Sequence, residues 1–304
     1  MEAGPEETPY QDALDATVVI PTKNRPQSLL RTLEALATQH TRRSFEVIVV
    51  DDGSKPPLTL EPGPALPSLR LLRTAGRGPG PARNAGIREA RGRIVVFTDD
   101  DTEPAAGWVE AACAFLDQHP EHVGVEGPVA STPYDPLYDH TIEITEAGAN
   151  VTCNIAYRRY VLERLGGFYE DWPAPAHCED LDLAWRAVQV GPIGYSEAMS
   201  LLHHARPLTL RRMIARGRVV TSEVVLFERH RERFGRARRL PSRLFPLSGA
   251  IHWVGLSLRR EGSSLRSPSR LARLVFVCAA HLGSATVHTA AYAWRTRGAK
   301  TSPP

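Results

Sequence analysis

Ile94-Val95-Val96-Phe97-Thr98-Asp99-Asp100-Asp101 is an uncharged run of strand-forming residues closed by three carboxylates. A short apolar run of this kind suits a strand buried on both faces. The same pattern occurs twice upstream. Thr17–Ile20 is closed by the polar stretch Pro21–Arg25, and Glu46–Val50 is closed by Asp51-Asp52-Gly53-Ser54. Between these runs lies helical text. Leu29, Leu30, Leu33 and Leu36 fall on one helical face, and Ala82–Ala90 reads as a second helix after the Gly/Pro loop Gly76–Pro81. Leu69–Leu72 reads as a further strand beyond the Pro-rich loop Pro56–Pro67. Strands alternating with helices predict an α/β fold with a doubly wound, mostly parallel sheet covered on both faces. Ligands of such sheets bind beyond the carboxyl ends of the strands. All three polar clusters stand at those ends, so they are expected to converge on one edge.

Each cluster has a plain structural reading beside the chemical one. Crowded carboxylates such as Asp99-Asp100-Asp101 repel one another, and a divalent cation among them removes that cost. Hard oxygen ligands suit Mg²⁺ or Mn²⁺, which also bind substrate phosphates. An acidic turn or helix cap is the alternative. Asp51-Asp52-Gly53-Ser54 is either a turn or a hold on a ribose or base. Gly76-Arg77-Gly78-Pro79-Gly80, with Arg83 and Asn84, lets backbone approach a diphosphate at a helix start. The P-loop and G-x-G-x-x-G fingerprints are absent. Glu179 and Asp180 stand at the start of a helix through Trp185-Arg186, where acidic groups suit the helix dipole or serve as a carboxylate base.

Taken in order, these pieces resemble glycosyltransferase family 2, the inverting enzymes of the GT-A fold. The resemblance runs from about Thr17 to His204. It rests on Val18–Arg25, Glu46–Ser54, Gly80–Ile87, Asp99–Asp101, Asn154–Arg159, Gly166-Gly167-Phe168 and Glu179–Arg186. It implies that Asp52 binds the uracil or ribose end of a nucleotide-sugar donor, with the backbone of Pro21 and Lys23 beside it. Arg83 is implied to hold the base or diphosphate. Asp99 and Asp101 match the outer members of the Asp-x-Asp motif, with Asp101 on the metal and Asp99 near the donor ribose or the metal. Asp180 matches the catalytic base. His203, or His204 next to it, adds a metal contact or serves the fold. The implied reaction moves one sugar from a nucleoside-diphosphate sugar, read as a UDP-sugar, to an acceptor hydroxyl on a glycan, lipid carrier or natural-product scaffold. Two departures stand out. Tyr169 precedes the acidic pair after Gly-Gly-Phe, and Cys178 stands where family members often have Gly. The Gln-x-x-Arg-Trp motif of processive polysaccharide synthases is missing, which favours single addition.

Composition fits an ordinary globular chain of 304 residues with 42% hydrophobic residues. The domain expectation is a polar tail over 1–15, a GT-A domain over 16–205 and a basic, mainly helical extension over 206–304. Arg206–Arg243 holds 12 Arg against 3 Glu, a local +9 within a chain of net charge +3. That segment suits a solvated helical face or peripheral contact with an anionic membrane. Nucleic acid is not expected. Leu274–Trp294 has no formal charge but carries His281, Ser284, Thr286, His288 and Thr289, so it reads as a buried or interfacial helix rather than a span. The acidic N-terminus lacks a signal-peptide pattern, and four scattered cysteines suggest reduced thiols and a cytoplasmic setting. Two other classes compete. One is a sugar nucleotidyltransferase, whose usual Gly-rich loop with Arg and downstream Lys is missing. The other is a non-catalytic membrane- or nucleic-acid-binding adaptor on a degenerate transferase fold, motivated by the basic segment.

Overall fold

Successive side chains along three strands go to opposite faces of one sheet, and each face finds its own helices. The strands are β1 (Leu14–Thr22), β2 (Phe45–Asp51) and β4 (Gly92–Phe97), in a computed structural model of the chain. The model describes residues 14–60, 66, 68–135, 138–173, 176–209, 219–239 and, within 268–287, residues 268, 270–276, 278, 279, 282, 283, 286 and 287. Val18, Ile20, Val47, Val49, Ile94 and Val96 join one buried cluster with residues of α1 (Pro26–Ala37) and α3 (Trp108–Gln118). Val19, Ile48, Val50, Val95 and Phe97 join the other, with residues of α2 (Pro79–Glu89), α4 (Arg159–Leu165) and α5 (Glu179–Ala187). The expected doubly wound, two-face architecture is present.

The remaining strands are β3 (Leu69–Arg73), β5 (Thr102–Pro104), β6 (Gly124–Glu126), β7 (Val129–Ser131), β8 (Asp139–His140), β9 (Ile155–Arg158), β10 (Ile193–Tyr195), β11 (Leu201–His203) and β12 (Arg206–Pro207). The main sheet has the order β10-β6-β9-β4-β1-β2-β3. All its neighbours are parallel except β9, which runs antiparallel to both β4 and β6. A small second sheet, β5-β11-β7, follows directly after the triple Asp.

Several boundaries differ from the sequence reading, each for a physical reason. Pro21 does not end β1, which continues to Thr22. The Val19 carbonyl accepts from Thr98 N on the β4 side, and the Thr22 carbonyl accepts from Asp52 N on the β2 side. Alternation therefore turns position 21 toward β4, where pairing has already ended at Val19↔Phe97. The missing proline N–H forfeits no ladder bond there. Strand β1 also begins at Leu14, inside the expected polar tail, while residues 1–13 lie outside the described residues. Leu30 is 43% exposed, and the buried face of α1 is Leu29, Thr32, Leu33 and Leu36. Helix α2 starts at Pro79, inside the expected loop, because proline suits a first helical position.

Gly86 sets how closely α2 lies on β1. A Cβ there would stand 2.4 Å from Val19 Cγ1. Gly86→Ala is expected to lose about 1–3 kcal/mol to overpacking, more than the roughly 1 kcal/mol that Ala gains over Gly in a helix. Urea unfolding should show a lower midpoint; an unchanged or higher one would refute this packing argument.

The chain divides into two units. One comprises residues 1–133, 141–170 and 183–205, and the other 134–140, 171–182 and 206–304. Within the second, β8 and β12 pair antiparallel, and α6 (Val220–Arg229) leads into 3-10 turns over Arg231–Arg239, kinked at Phe234 and Gly235. The described residues of 268–287 are helical. Arg270 forms a two-pronged ion pair with Asp135 at 2.6 and 3.1 Å, and Arg273 lies 4.0 Å above the Tyr138 ring. Leu274 and Cys278 bury against Tyr138. Among the described residues no helix is long and apolar enough to cross a membrane. The apolar patch Leu247–Leu258, the linker residues before Pro268 and residues 288–294 lie outside the described residues.

Candidate functional site

The three strand ends meet, as the alternation predicts. Thr22, at the end of β1, donates from Oγ1 to Asp100 Oδ2 at 2.7 Å. Arg25 donates to Asp100 Oδ1 at 2.8 Å and stands 3.7 Å from Asp101. Asn24 N donates to Ser54 Oγ, and Lys55 N donates back to Asn24 Oδ1, which joins the β1 and β2 ends. Asn24 has φ +57°, a left-handed conformation that asparagine tolerates better than most residues. Asp100 is buried, and that burial pushes its carboxyl above the usual carboxylate range, with Arg25 opposing the shift. The middle Asp therefore braces the strand ends, while Asp99 and Asp101 present the other two carboxylates.

Asp52 organises the Gly-rich loop. Its Oδ2 accepts from Gly78 N at 2.9 Å, its Oδ1 accepts from Thr74 Oγ1 at 2.8 Å, and Lys23 Nζ lies 3.6 Å away. Gly78 has φ +111°, a conformation that favours glycine, at the residue preceding α2. A carboxylate has about four acceptor positions, so these bonds leave capacity for a ribose hydroxyl or a base N–H. Arg83, buried on α2, donates to Asp99 Oδ1 at 2.8 Å. Asp51 serves the turn. Burial opposes its ionisation, but hydrogen bonds from Ser54 and Leu58 and the charge of Arg73 hold it below the usual carboxylate range.

The second sheet separates the two adjacent histidines. Register pairs His203 on β11 with Thr102 on β5. His203 Nε2 then lies 3.6 Å from Asp101 Oδ1, with both side chains 1% exposed. Its Nδ1 lies 3.2 Å from Thr141 Oγ1. His204 turns away, and its Nε2 lies 2.6 Å from Glu103 Oε1. Asp101 and His203 thus offer a carboxylate and an imidazole side by side, while Asp99 is engaged by Arg83. That chemistry fits Mn²⁺ or Mg²⁺, with Mn²⁺ the better match for the nitrogen. Pro21 lies near the end of β1, next in sequence to Thr22, which bonds Asp100.

Other motif residues hold the frame. Asn154 is fully buried; its Oδ1 accepts from Trp108 Nε1 at 2.7 Å, and its Nδ2 donates to the carbonyls of Pro128 and Met199. Asn84 on α2 exchanges hydrogen bonds with the Phe168 backbone and donates to Glu170. That bond, with Arg77 and Arg88, holds the Glu170 carboxyl below its usual range. Arg25, Thr22, Thr74 and Thr141 received no role from the sequence. Only Arg25 carried a signal, as a charge within the Pro21–Arg25 cluster. A cavity of about 770 Å³ bounded by Arg31, Glu34, Glu103 and Leu202 contains none of the converging residues.

Asp180 lies in the first turn of α5 and accepts from Leu181 N at 2.9 Å. Cys178, immediately before α5, has φ +64°, a left-handed conformation that favours glycine. Asp182 is fully buried and accepts from Arg229 Nε at 2.6 Å and His230 Nε2 at 2.9 Å. Part of the basic segment is thus an internal partner and not a solvated face. On α6, burial raises the Glu223 carboxyl above its usual range. A raised folded-state pKa means that stability falls as pH climbs from the unfolded value through the folded one. Glu223→Gln is therefore expected to be more stable than wild type at pH 7 and to lose that advantage near pH 4, as followed by thermal melts. An equal difference at both pH values would refute burial as the cause.

Comparison with known proteins bears on the family and the fold. The family model for glycosyl transferase family 2 matches residues 17–168, which is half of the chain. A pre-mycofactocin glycosyltransferase of Mycobacterium tuberculosis is 30% identical over 221 residues, covering 66% of this chain and 45% of the relative. The chain thus spans under half the length of that relative. Glycosyltransferase AglE of Haloferax volcanii is 27% identical over 210 residues, covering 63% of this chain and 67% of the relative. Among solved structures, the mannosyltransferase PcManGT of Pyrobaculum calidifontis, in complex with GDP-Man and Mn²⁺, superposes with a TM-score of 0.57 at 21% identity, covering 92% of this chain and 88% of that one. Staphylococcus aureus TarS 1–349 in complex with UDP-GlcNAc gives 0.52 at 19% identity, covering 93% and 92%. At these identities the structural likeness concerns the fold, which is that of GT-A glycosyltransferases. Motif order, sheet topology and the family match agree: this chain belongs to glycosyltransferase family 2.

Proposed function

We propose that the chain transfers a single sugar from a nucleoside-diphosphate sugar to an acceptor hydroxyl, with metal dependence and inversion at the anomeric carbon. The observation that carries this reading is the convergence of Asp52, Asp99, Asp101 and His203 at the carboxyl edge of β1, β2 and β4 and on the adjoining small sheet. Asp52, with Pro21 and Lys23, holds the nucleoside end of the donor. Arg83 faces the diphosphate and keeps Asp99 oriented through their 2.8 Å ion pair. Asp99, Asp101 and His203 hold a Mn²⁺ or Mg²⁺ ion. When bound, that ion neutralises charge on the departing nucleoside diphosphate. Asp180 takes the proton from the acceptor hydroxyl as its oxygen attacks the anomeric carbon opposite the leaving group. The new glycosidic bond forms as the bond to the diphosphate breaks, so the configuration inverts without a covalent enzyme intermediate. A non-catalytic adaptor has no need for this acidic set, and its retention argues for chemistry.

The donor is read as a UDP-sugar. Release of UDP from a panel of UDP-sugars, with Mn²⁺ and with EDTA, tests the reading. Metal-dependent release supports it. Release from GDP-sugars alone moves the donor assignment, and no release from any nucleotide sugar, with simple saccharide, lipid-phosphate and aromatic hydroxyl acceptors, contradicts it.

A peripheral membrane contact at the inner face of the plasma membrane is a second proposal. It is supported by Leu271, Val275, Phe276 and Val287, which are 43–64% exposed on the helical residues of 268–287. Flotation with anionic liposomes tests it; a full-length chain that stays in the soluble fraction contradicts it.

A further inference from the structure

The loop between α3 and β6 carries a second set of metal-ligating side chains that the transferase reading does not use. Its sequence is His119-Pro120-Glu121-His122. One ligand atom from each of His119, Glu121 and His122 lies within 4.8 Å of the others. Glu121 Oε1 stands 2.9 Å from His122 Nδ1 and 3.7 Å from His119 Nδ1. Ligands about 2.0–2.1 Å from a tetrahedral ion are separated by roughly 3.3 Å, so these two distances bracket the spacing required. Strand β6 runs parallel to β4, because β9 is antiparallel to both. The loop entering β6 therefore lies at the opposite edge of the sheet from Asp99 and Asp101.

The loop is built, not merely acidic and exposed. The Arg158 guanidinium is buried and donates to the carbonyls of Leu116, His119 and His122 at 2.7, 3.3 and 2.8 Å. One side chain thus fixes the backbone of both histidines while it satisfies carbonyls at the C-terminus of α3. His122 N donates to His119 O at 3.0 Å, which closes the loop. The rings are fixed as well. Phe115 lies 4.4 Å from the His119 ring and 5.3 Å from the His122 ring, and the two imidazoles are 5.3 Å apart. Gly194 on β10 makes this possible, since a Cβ there would stand 2.1 Å from Phe115 Cζ and 3.0 Å from His122 Cδ2.

A carboxylate oxygen facing two imidazole nitrogens is satisfied either by protons on both rings or by one cation. Above neutral pH free imidazole is uncharged and is a good ligand for late transition ions. Two nitrogens and one carboxylate select Zn²⁺ over Mg²⁺ or Ca²⁺, which favour all-oxygen sets. We propose that His119, Glu121 and His122 form a Zn²⁺-binding site, separate from the donor site, with water completing the coordination. Binding there ties the end of α3 to the entry of β6 and stabilises the folded chain by mass action.

The test is a calorimetric titration of the full chain with Zn²⁺, after EDTA treatment and desalting, in excess Mg²⁺ to occupy the hard-ligand site. Wild type and Asp101→Ala should each bind one equivalent, and wild type should melt at a higher temperature with Zn²⁺ than with EDTA. His119→Gln/His122→Gln should lose that equivalent and the Zn²⁺-dependent shift. Glu121→Gln, at a largely exposed position, should weaken binding at least tenfold while melting like wild type in EDTA. Co²⁺ in place of Zn²⁺ should give the intense visible bands of a tetrahedral site in wild type and Asp101→Ala, and not in His119→Gln/His122→Gln. Zn²⁺ binding that is unchanged in Glu121→Gln and in the double variant, or absent from wild type, overturns the proposal.

Discussion

Asp180→Asn is expected to lower turnover by about 10³-fold, within the usual range for loss of a general base, while nucleotide affinity stays within about twofold. The substitution is nearly isosteric, and an amide oxygen can still accept the 2.9 Å bond from Leu181 N, so the first turn of α5 is retained. The proton acceptor alone is removed. Single-turnover kinetics at saturating donor and acceptor separate chemistry from binding. Fast single-turnover sugar transfer in Asp180→Asn would move the base to another carboxylate. A matching loss of nucleotide affinity would instead mean that Asp180 holds the donor.

Asp101→Ala should have the second large effect, and on a different step. Asp101 is buried between Arg25 at 3.7 Å and His203 at 3.6 Å. Its loss removes the carboxylate nearest the imidazole of the proposed ligand set. Metal-dependent affinity for a nucleoside diphosphate should fall on the order of 100-fold, equivalent to about 2.7 kcal/mol, and turnover should fall with it. Arg25 keeps its 2.8 Å bond to Asp100, so the strand ends stay joined. Asp101→Asn retains side-chain volume and should show the same loss. Melting curves that match wild type in EDTA would separate a ligand effect from unfolding. Undiminished Mn²⁺-dependent binding in both variants would refute the role of Asp101.

Much of the fold was legible because β1, β2 and β4 lie between two helical layers. Their uninterrupted apolar runs followed from burial on both faces, and their polar ends marked the edge where the candidate residues meet. What stayed hidden depends on contacts distant in sequence. Strands β5, β7 and β11 have three residues each, too few for a period of two to register. Yet the pairing of β11 with β5 is what puts His203, and not His204, beside Asp101. The role of Asp100 was equally out of reach: three adjacent Asp residues look alike until Thr22 and Arg25, more than 70 residues earlier, take the middle one. Leu30 was misassigned because helical periodicity gives a direction for the buried face but not its width. Thr32 occupies the place instead, donating to the Thr102 carbonyl at 2.7 Å. Cys178 shows the reverse. The sequence marks it only as a departure from Gly, and the backbone there is left-handed with Cys in place.

The most direct test of the central claim is calorimetric titration of the purified chain with UDP, first with Mn²⁺ and then with EDTA. The account predicts binding that needs Mn²⁺, disappears with EDTA, returns on adding Mn²⁺ and weakens in Asp101→Ala. Mn²⁺-dependent binding of GDP or dTDP in place of UDP would keep the site and change the donor. No Mn²⁺-dependent binding of UDP, GDP or dTDP would contradict a nucleotide-sugar site at Asp52, Asp99 and Asp101.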